Sequence, residues 1–112
     1  MHLRAGRLTE AVEQYDRLMH ISEFQAWIRA RYDDTDRARG PSKTFIWFAE
    51  EFGELAHAIG TFEKGEANGD NLREEFADCL AWMCTLANIC DVDLEQALQE
   101  KYLKDGGPKG TK

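Results

Sequence analysis

No apolar run in this 112-residue sequence approaches the ~18 residues of a membrane span, which argues against an integral membrane helix. The opening residues, Met1-His2-Leu3-Arg4-Ala5-Gly6-Arg7, hold no stretch of signal-peptide character, so the expected location is the cytoplasm. Basic charge is also scarce: fourteen Lys and Arg stand against twenty-one Asp and Glu, a net charge of −7. A general nucleic-acid binder needs a basic footprint, and this balance argues against nucleic acid as a partner. Cysteine is sparse too. Cys79, Cys84 and Cys90 form neither a CxxC pair nor a spaced framework, which leaves reduced core thiols and disfavours a zinc or disulfide scaffold. No segment alternates apolar and polar residues with period two, so no strand is expected.

What is present is helical periodicity. Breakers fall at Asp33-Asp34-Thr35-Asp36 through Gly40-Pro41, at Gly65 to Asp70, and in the tail Gly106-Gly107-Pro108-Lys109-Gly110. A weaker pattern between Thr9 and His20 carries Val12, Tyr15, Leu18 and Met19. Ser22-Glu23-Phe24-Gln25 has the form of a capping box and opens a helix bearing Phe24, Trp27, Ile28 and Tyr32. Phe45, Phe48, Phe52, Leu55, Ile59 and Phe62 step by three and four along the next, and Leu72, Phe76, Leu80, Met83, Ala87 and Cys90 along the one after. Asp91 or Asp93 caps a last helix carrying Leu94, Ala97, Leu98, Tyr102 and Leu103. The expected fold is all-α, an antiparallel bundle of four-helix type whose two long apolar stripes pack on each other. The expected organisation is an extension over residues 1–21, partly helical, a helical domain over 22–104 and a flexible tail over 105–112. A chain of this length buries roughly 65% of its unfolded surface, so it gains from self-association.

Most of the acidic residues suit a solvated helix face. Four do not. At about 100° per residue, with Phe48, Phe52 and Leu55 as the inward direction, Glu51 lies about 60° to one side and Glu54 about 120°, with Trp47 near the same line. On the following helix Glu75 and Asp78 deviate in the same sense from Phe76 and Leu80, with Trp82 between them in angle. Each helix thus carries an i, i+3 acidic pair beside its apolar stripe, and antiparallel packing lets the pairs converge. Four gathered carboxylates repel and raise one another's pKa unless a cation joins them. An all-oxygen set without paired His or Cys suits Mg²⁺, with Mn²⁺ as a substitute.

Glu50-Glu51-Phe52-Gly53-Glu54, twenty intervening residues, then Glu75-Phe76-Ala77-Asp78 resembles the EExxE…ExxD signature of the all-α nucleoside triphosphate pyrophosphohydrolases, and within them the small MazG-like branch. The resemblance runs from about Ser22 to Tyr102, through Phe24-Gln25-x-Trp27, Gly53-Glu54-Leu55-Ala56 and Asp93-Leu94-Glu95…Ala97…Lys101-Tyr102. It implies hydrolysis of a deoxy or non-standard nucleoside triphosphate to the monophosphate and pyrophosphate, with Glu51, Glu54, Glu75 and Asp78 as magnesium ligands. Glu51 or Glu54 is then the candidate to orient or deprotonate the attacking water, with Glu50 supporting from outside. Trp27, Trp47, Trp82, Asn88 and Lys101 are candidate substrate contacts, Trp82 foremost, because some relatives place an aromatic one turn after the last ligand. Asn88 equally suits a cap or a bridge between helices. The resemblance also implies a homodimer or homotetramer with a shared pocket.

Three other readings compete. Glu54-Leu55-Ala56-His57 is an ExxH of the di-iron kind, but the matching position on the next helix is Asp78 and not His. A non-enzymatic oligomeric adaptor with an acidic groove leaves the paired spacing unexplained. Phosphoribosyl-ATP pyrophosphohydrolase lies within the same superfamily and differs in substrate.

Overall fold

Helix α1 spans Ile21–Arg39. Its N-cap is His20, whose backbone N–H donates to Glu23 Oε1 at 3.1 Å. Ser22, expected to cap, instead donates its hydroxyl to Glu95 Oε2 at 3.2 Å, and Gln25 turns into the core. The helix also runs through the acidic stretch expected to break it. Asp33 pairs with Arg37 at 2.9 Å and Asp36 with Arg39 at 2.7 Å, so the acids are bound within the helix. Two arginines in the last turn also suit the negative end of the helix dipole. The helix stops at Gly40, where φ is +85°, a conformation that glycine adopts without strain. Pro41 then starts the next helix in the first-turn position, where its missing N–H does no harm.

The computed structural model describes residues 19–66 and 69–110. It continues as α2 (Pro41–Glu63), α3 (Gly69–Ile89), α4 (Leu94–Leu98) and a π-helical turn, Gln99–Leu103. Among the described residues there is no strand, and no helix is long and apolar enough to cross a membrane. The weak helical pattern from Thr9 and the extension over 1–21 fall largely outside the described residues. Asp93 caps α4, accepting from the Gln96 N–H at 3.1 Å.

Helix α3 is central, packing on α2 along one side and α1 along another. The inward face of α2 is not the stripe expected. Thr44, Phe48 and Ala58 are buried, with Glu51 and Leu55 half-buried between them. Phe45, Phe52, Ile59 and Phe62 stay exposed, as do Phe76, Leu80 and Met83 on α3. At 100° per residue the true inward direction of α2 is turned about 40° from Phe48 toward Glu51. The cause is size: small buried residues, Thr44 and Ala58 on α2 and Cys79 on α3, let the helix axes approach closely, whereas the larger phenylalanines are left on the outside. Of the thiols, Cys79 and Cys84 are buried, but Cys90, expected in the core, is exposed where α3 ends.

A polar knot ties α1 to the far end of α3. Gln25 Nε2 donates to Asn88 Oδ1 at 3.0 Å and to Val92 O at 2.7 Å, while Gln25 Oε1 accepts from the Leu94 N–H at 3.0 Å. Asn88 Nδ2 donates back to Gln25 O at 3.2 Å. Arg29 Nη2 donates to Asn88 Oδ1 and Arg37 Nη2 to Asn88 O. Arg37 also pairs with Asp91, whose left-handed backbone turns the chain toward α4.

Candidate functional site

The antiparallel register of α2 and α3 sets Trp47 against Trp82, Glu51 against Cys79 and Glu54 against Glu75. One ligand atom from each of Glu51, Glu54 and Glu75 lies within 4.8 Å of the others. Asp78 stands outside that group of three, yet its charge weighs on both Glu51 and Glu75. Helical geometry explains the gathering. Measured from the line joining the two helices, Trp47, Glu54, Asp78 and Trp82 lean to one flank. Phe45, Phe52, Phe76 and Leu80 lean to the other. The pair therefore has an acidic flank and an apolar flank on opposite sides.

Two oxygens in the group are covered by protein and have no hydrogen-bond partner: Glu51 Oε2 and Glu75 Oε2. Loss of water pushes both carboxyls above their usual range, and the nearby charges of Glu54 and Asp78 push them further. Cys79 donates its thiol to Glu51 O at 3.8 Å, and burial, with the same carboxylates, raises its pKa, which disfavours the thiolate. The donor set fits a hard divalent cation. Carboxylate oxygens within 4.8 Å of one another need only modest side-chain movements to share one hard cation. A cation there would satisfy both orphaned oxygens and cancel the repulsion.

One turn along the pair sits an aromatic platform. Trp47 and Trp82 meet edge to face with centroids 6.0 Å apart. The Arg39 guanidinium lies 4.8 Å from the Trp47 ring centroid and 5.4 Å from that of Trp82. It is fixed by donating to Thr44 Oγ1 at 2.8 Å and Asp36 Oδ1 at 2.7 Å. Trp47 and Trp82 are thus brought beside the carboxylates. Trp27 is not placed there by any contact of its ring, which packs on Phe24, Tyr32 and Arg31 of its own helix. Lys101 lies in the π-helical turn with its ammonium over Tyr102. Asn88 is fully buried, and its amide serves the Gln25 knot as a bridge between helices. Glu50 and His57 are exposed on α2 and are not among the three clustered acids.

Sequence reasoning missed Arg39, Asp36 and Tyr32. Asp36 falls in the stretch expected to break the helix, and sequence reasoning gives Arg39 no role. Their signal was the spacing of Ile28, Tyr32, Asp36 and Arg39, four residues on one face of α1.

A comparison with curated proteins yields no match. The family model of the MazG nucleotide pyrophosphohydrolase domain matches residues 39–104, a span that begins at Arg39 and takes in both acidic pairs and both tryptophans of the platform. Covering more than half of the chain, that match makes it a member of the MazG nucleotide pyrophosphohydrolase domain family, hydrolases that act on nucleotide pyrophosphate bonds.

Proposed function

We propose that the protein cleaves a nucleoside triphosphate, deoxy or non-standard, between the α and β phosphates in a Mg²⁺-dependent reaction. Mn²⁺ is the expected substitute. The observation that carries this is the pair of covered, unpartnered oxygens of Glu51 and Glu75 within a three-carboxylate group. Glu51, Glu54 and Glu75 hold the metal, and a change of rotamer brings in Asp78. When bound, the ion supplies the charge that lets an acidic flank hold a triphosphate of about four negative charges, and it acidifies a neighbouring water.

The chain's own groups do the rest. Glu54, the exposed member of the three, is assigned ahead of Glu51 to orient the attacking water and accept its proton. Glu51 and Glu75 hold protons more readily than ordinary carboxyls, so protons and a metal would compete for them. Glu50 supports the α2 side from outside. Trp47 and Trp82 offer rings against which the nucleoside packs, one turn from the acids. Hydrolysis in ¹⁸O-labelled water tests the bond cleaved, with a substrate panel that includes phosphoribosyl-ATP. Label in the monophosphate and unlabelled pyrophosphate are expected, whereas label in pyrophosphate moves the attack to the β-phosphorus. Release of inorganic phosphate would overturn the reading of the site.

The apolar flank supports a homodimer, with a homotetramer as two such pairs. Phe45, Phe52, Ile59, Phe76 and Leu80 are each 42–56% exposed, and a helix pair this apolar on one side is stabilised by a copy of itself. Phe52→Glu should shift the light-scattering mass toward the monomer. An unchanged mass removes this flank from the interface.

A further inference from the structure

A cleft of about 340 Å³ opens between α1 and α3 on the acidic flank. Its walls include Tyr32 and Trp82, with Ile28 and Ala81 also lining it. Its size lies at the lower end of the range for small-molecule sites. Trp82 belongs both to this cleft and to the platform of Trp47 and Arg39. Along α3 it stands four residues beyond Asp78 and seven beyond Glu75, or about 6 and 11 Å of helix rise. That is the reach of a nucleoside lying between its α-phosphate and its base.

Asp36 also lines the cleft, and it is only 5% exposed. Its Oδ1 accepts from Arg39, but its Oδ2 is covered and has no partner. A desolvated carboxylate oxygen left unpaired is costly, so it calls for a donor. Arg39 neutralises the charge of Asp36 without supplying that second bond. The neighbouring Trp82 and Tyr32 rings suit a flat heterocycle, which stacks on such faces whatever its identity. Of the polar groups lining the cleft, Thr35, Asp36, Arg39 and Thr85, Asp36 is the one with a covered oxygen that lacks a partner, and discrimination between bases is assigned to it.

We infer that this cleft takes the nucleobase and that Asp36 selects bases presenting an amino group over those presenting a carbonyl at the same position. This rests on the pyrophosphohydrolase reading and goes further by naming the substrate class. An exocyclic amine, as on cytosine, adenine or guanine, donates to Oδ2. The oxo group of uracil, thymine or hypoxanthine in the same place sets two acceptors against each other and leaves Oδ2 unpaired.

The test is calorimetric titration, in Mg²⁺, with uncleavable α,β-imido analogues of dCTP, dUTP, dATP and dITP. Each pair differs at one amino-for-oxo exchange. The wild-type protein should bind the amino member about tenfold or more tightly in at least one pair. Asp36→Asn keeps an oxygen for Arg39 and places an N–H₂ where Oδ2 was, so it should erase or reverse that preference. Equal affinities within both pairs, no binding of any analogue, or an unchanged preference in a folded Asp36→Asn protein would each overturn the proposal. If Asp36→Asn does not fold, the wild-type ratios still decide. Pyrophosphate release from the four natural nucleotides, measured in parallel, tests the underlying reading separately. Turnover without an amino preference leaves the hydrolase standing and removes Asp36 from base selection.

Discussion

Glu51→Gln takes one charge out of the three-carboxylate group while keeping the shape of the side chain and one oxygen. If Mg²⁺ binds the native state alone, the wild-type protein at a metal concentration of 100 Kd gains about 2.7 kcal/mol. For a domain near this size, that raises Tm by roughly 10–20 °C. Loss of a group that merely supports a metal ligand weakens affinity by about 10–100-fold, and loss of a ligand should do at least as much. At 100-fold weaker binding the same Mg²⁺ yields about 0.4 kcal/mol, a Tm shift of roughly 2–3 °C. In EDTA the order should invert. Gln carries no charge to repel Glu54 and Glu75 and bears less penalty for its covered position, so the variant should melt above the wild type. Differential scanning calorimetry across a Mg²⁺ series, with EDTA as origin, measures both effects. A Mg²⁺ response of equal size in the two proteins refutes the reasoning.

The same acids predict a pH dependence of definite sign. Because the folded state raises the pKa values of Glu51 and Glu75 above 4.5, it retains protons that the unfolded chain releases. In EDTA their contribution to stability is therefore greatest at low pH and falls as pH rises from about 4.5 through the folded values, while the Mg²⁺-dependent gain grows over the same range. Melting curves from pH 5 to 8, compared with the Glu51→Gln/Glu75→Gln protein, isolate that slope, and a rise with pH in EDTA attributable to these acids would contradict it. A Cβ added at Gly53, between two of the acids, meets nothing within 4 Å, so Gly53→Ala should stabilise the metal-free protein by about 1 kcal/mol. A lower Tm would mean that something seats against that backbone in solution. Gln25→Ala strands Val92 O and the Leu94 N–H and leaves Asn88 Oδ1 with Arg29 alone, and urea denaturation should show a loss of at least about 2 kcal/mol. A loss near zero would show that water replaces the knot freely.

The acidic pairs were legible because helix geometry is rigid. A residue type at i and i+3 must share a flank, and two such flanks on consecutive antiparallel helices must meet. Asp93 as a cap and the absence of strands follow from equally local rules. The inward face was harder to read, because apolar size is a poor guide where small residues decide the approach. Thr44, Ala58 and Cys79 are buried while Phe52 and Phe76 are exposed, and hydrophobic spacing alone does not distinguish the two. The run Asp33 to Asp36 failed for another reason. Its composition suggests a turn, but Arg37, four residues after Asp33, and Arg39, three after Asp36, convert the acids into helix-stabilising pairs. The cleft between α1 and α3 was invisible for want of a third dimension, since Asp36 and Trp82 are far apart in the chain.

The separation of the two flanks also bears on how substitutions combine. An α-helix with its side chains is about 10–12 Å across, so side chains on the apolar side of the α2–α3 pair and those on the acidic side point away from one another, which weakens the coupling of their mutational energies. Within one chain, changes at Phe52 or Leu80 should add to changes at Glu54 or Trp82 to within about 0.5 kcal/mol. Pairs drawn from Glu51, Glu54 and Glu75 should depart from additivity, because each alters the field felt by the others. Double-mutant cycles on this small domain would thus divide into two nearly independent blocks, and surface drift on one side can proceed without being read by the chemistry on the other.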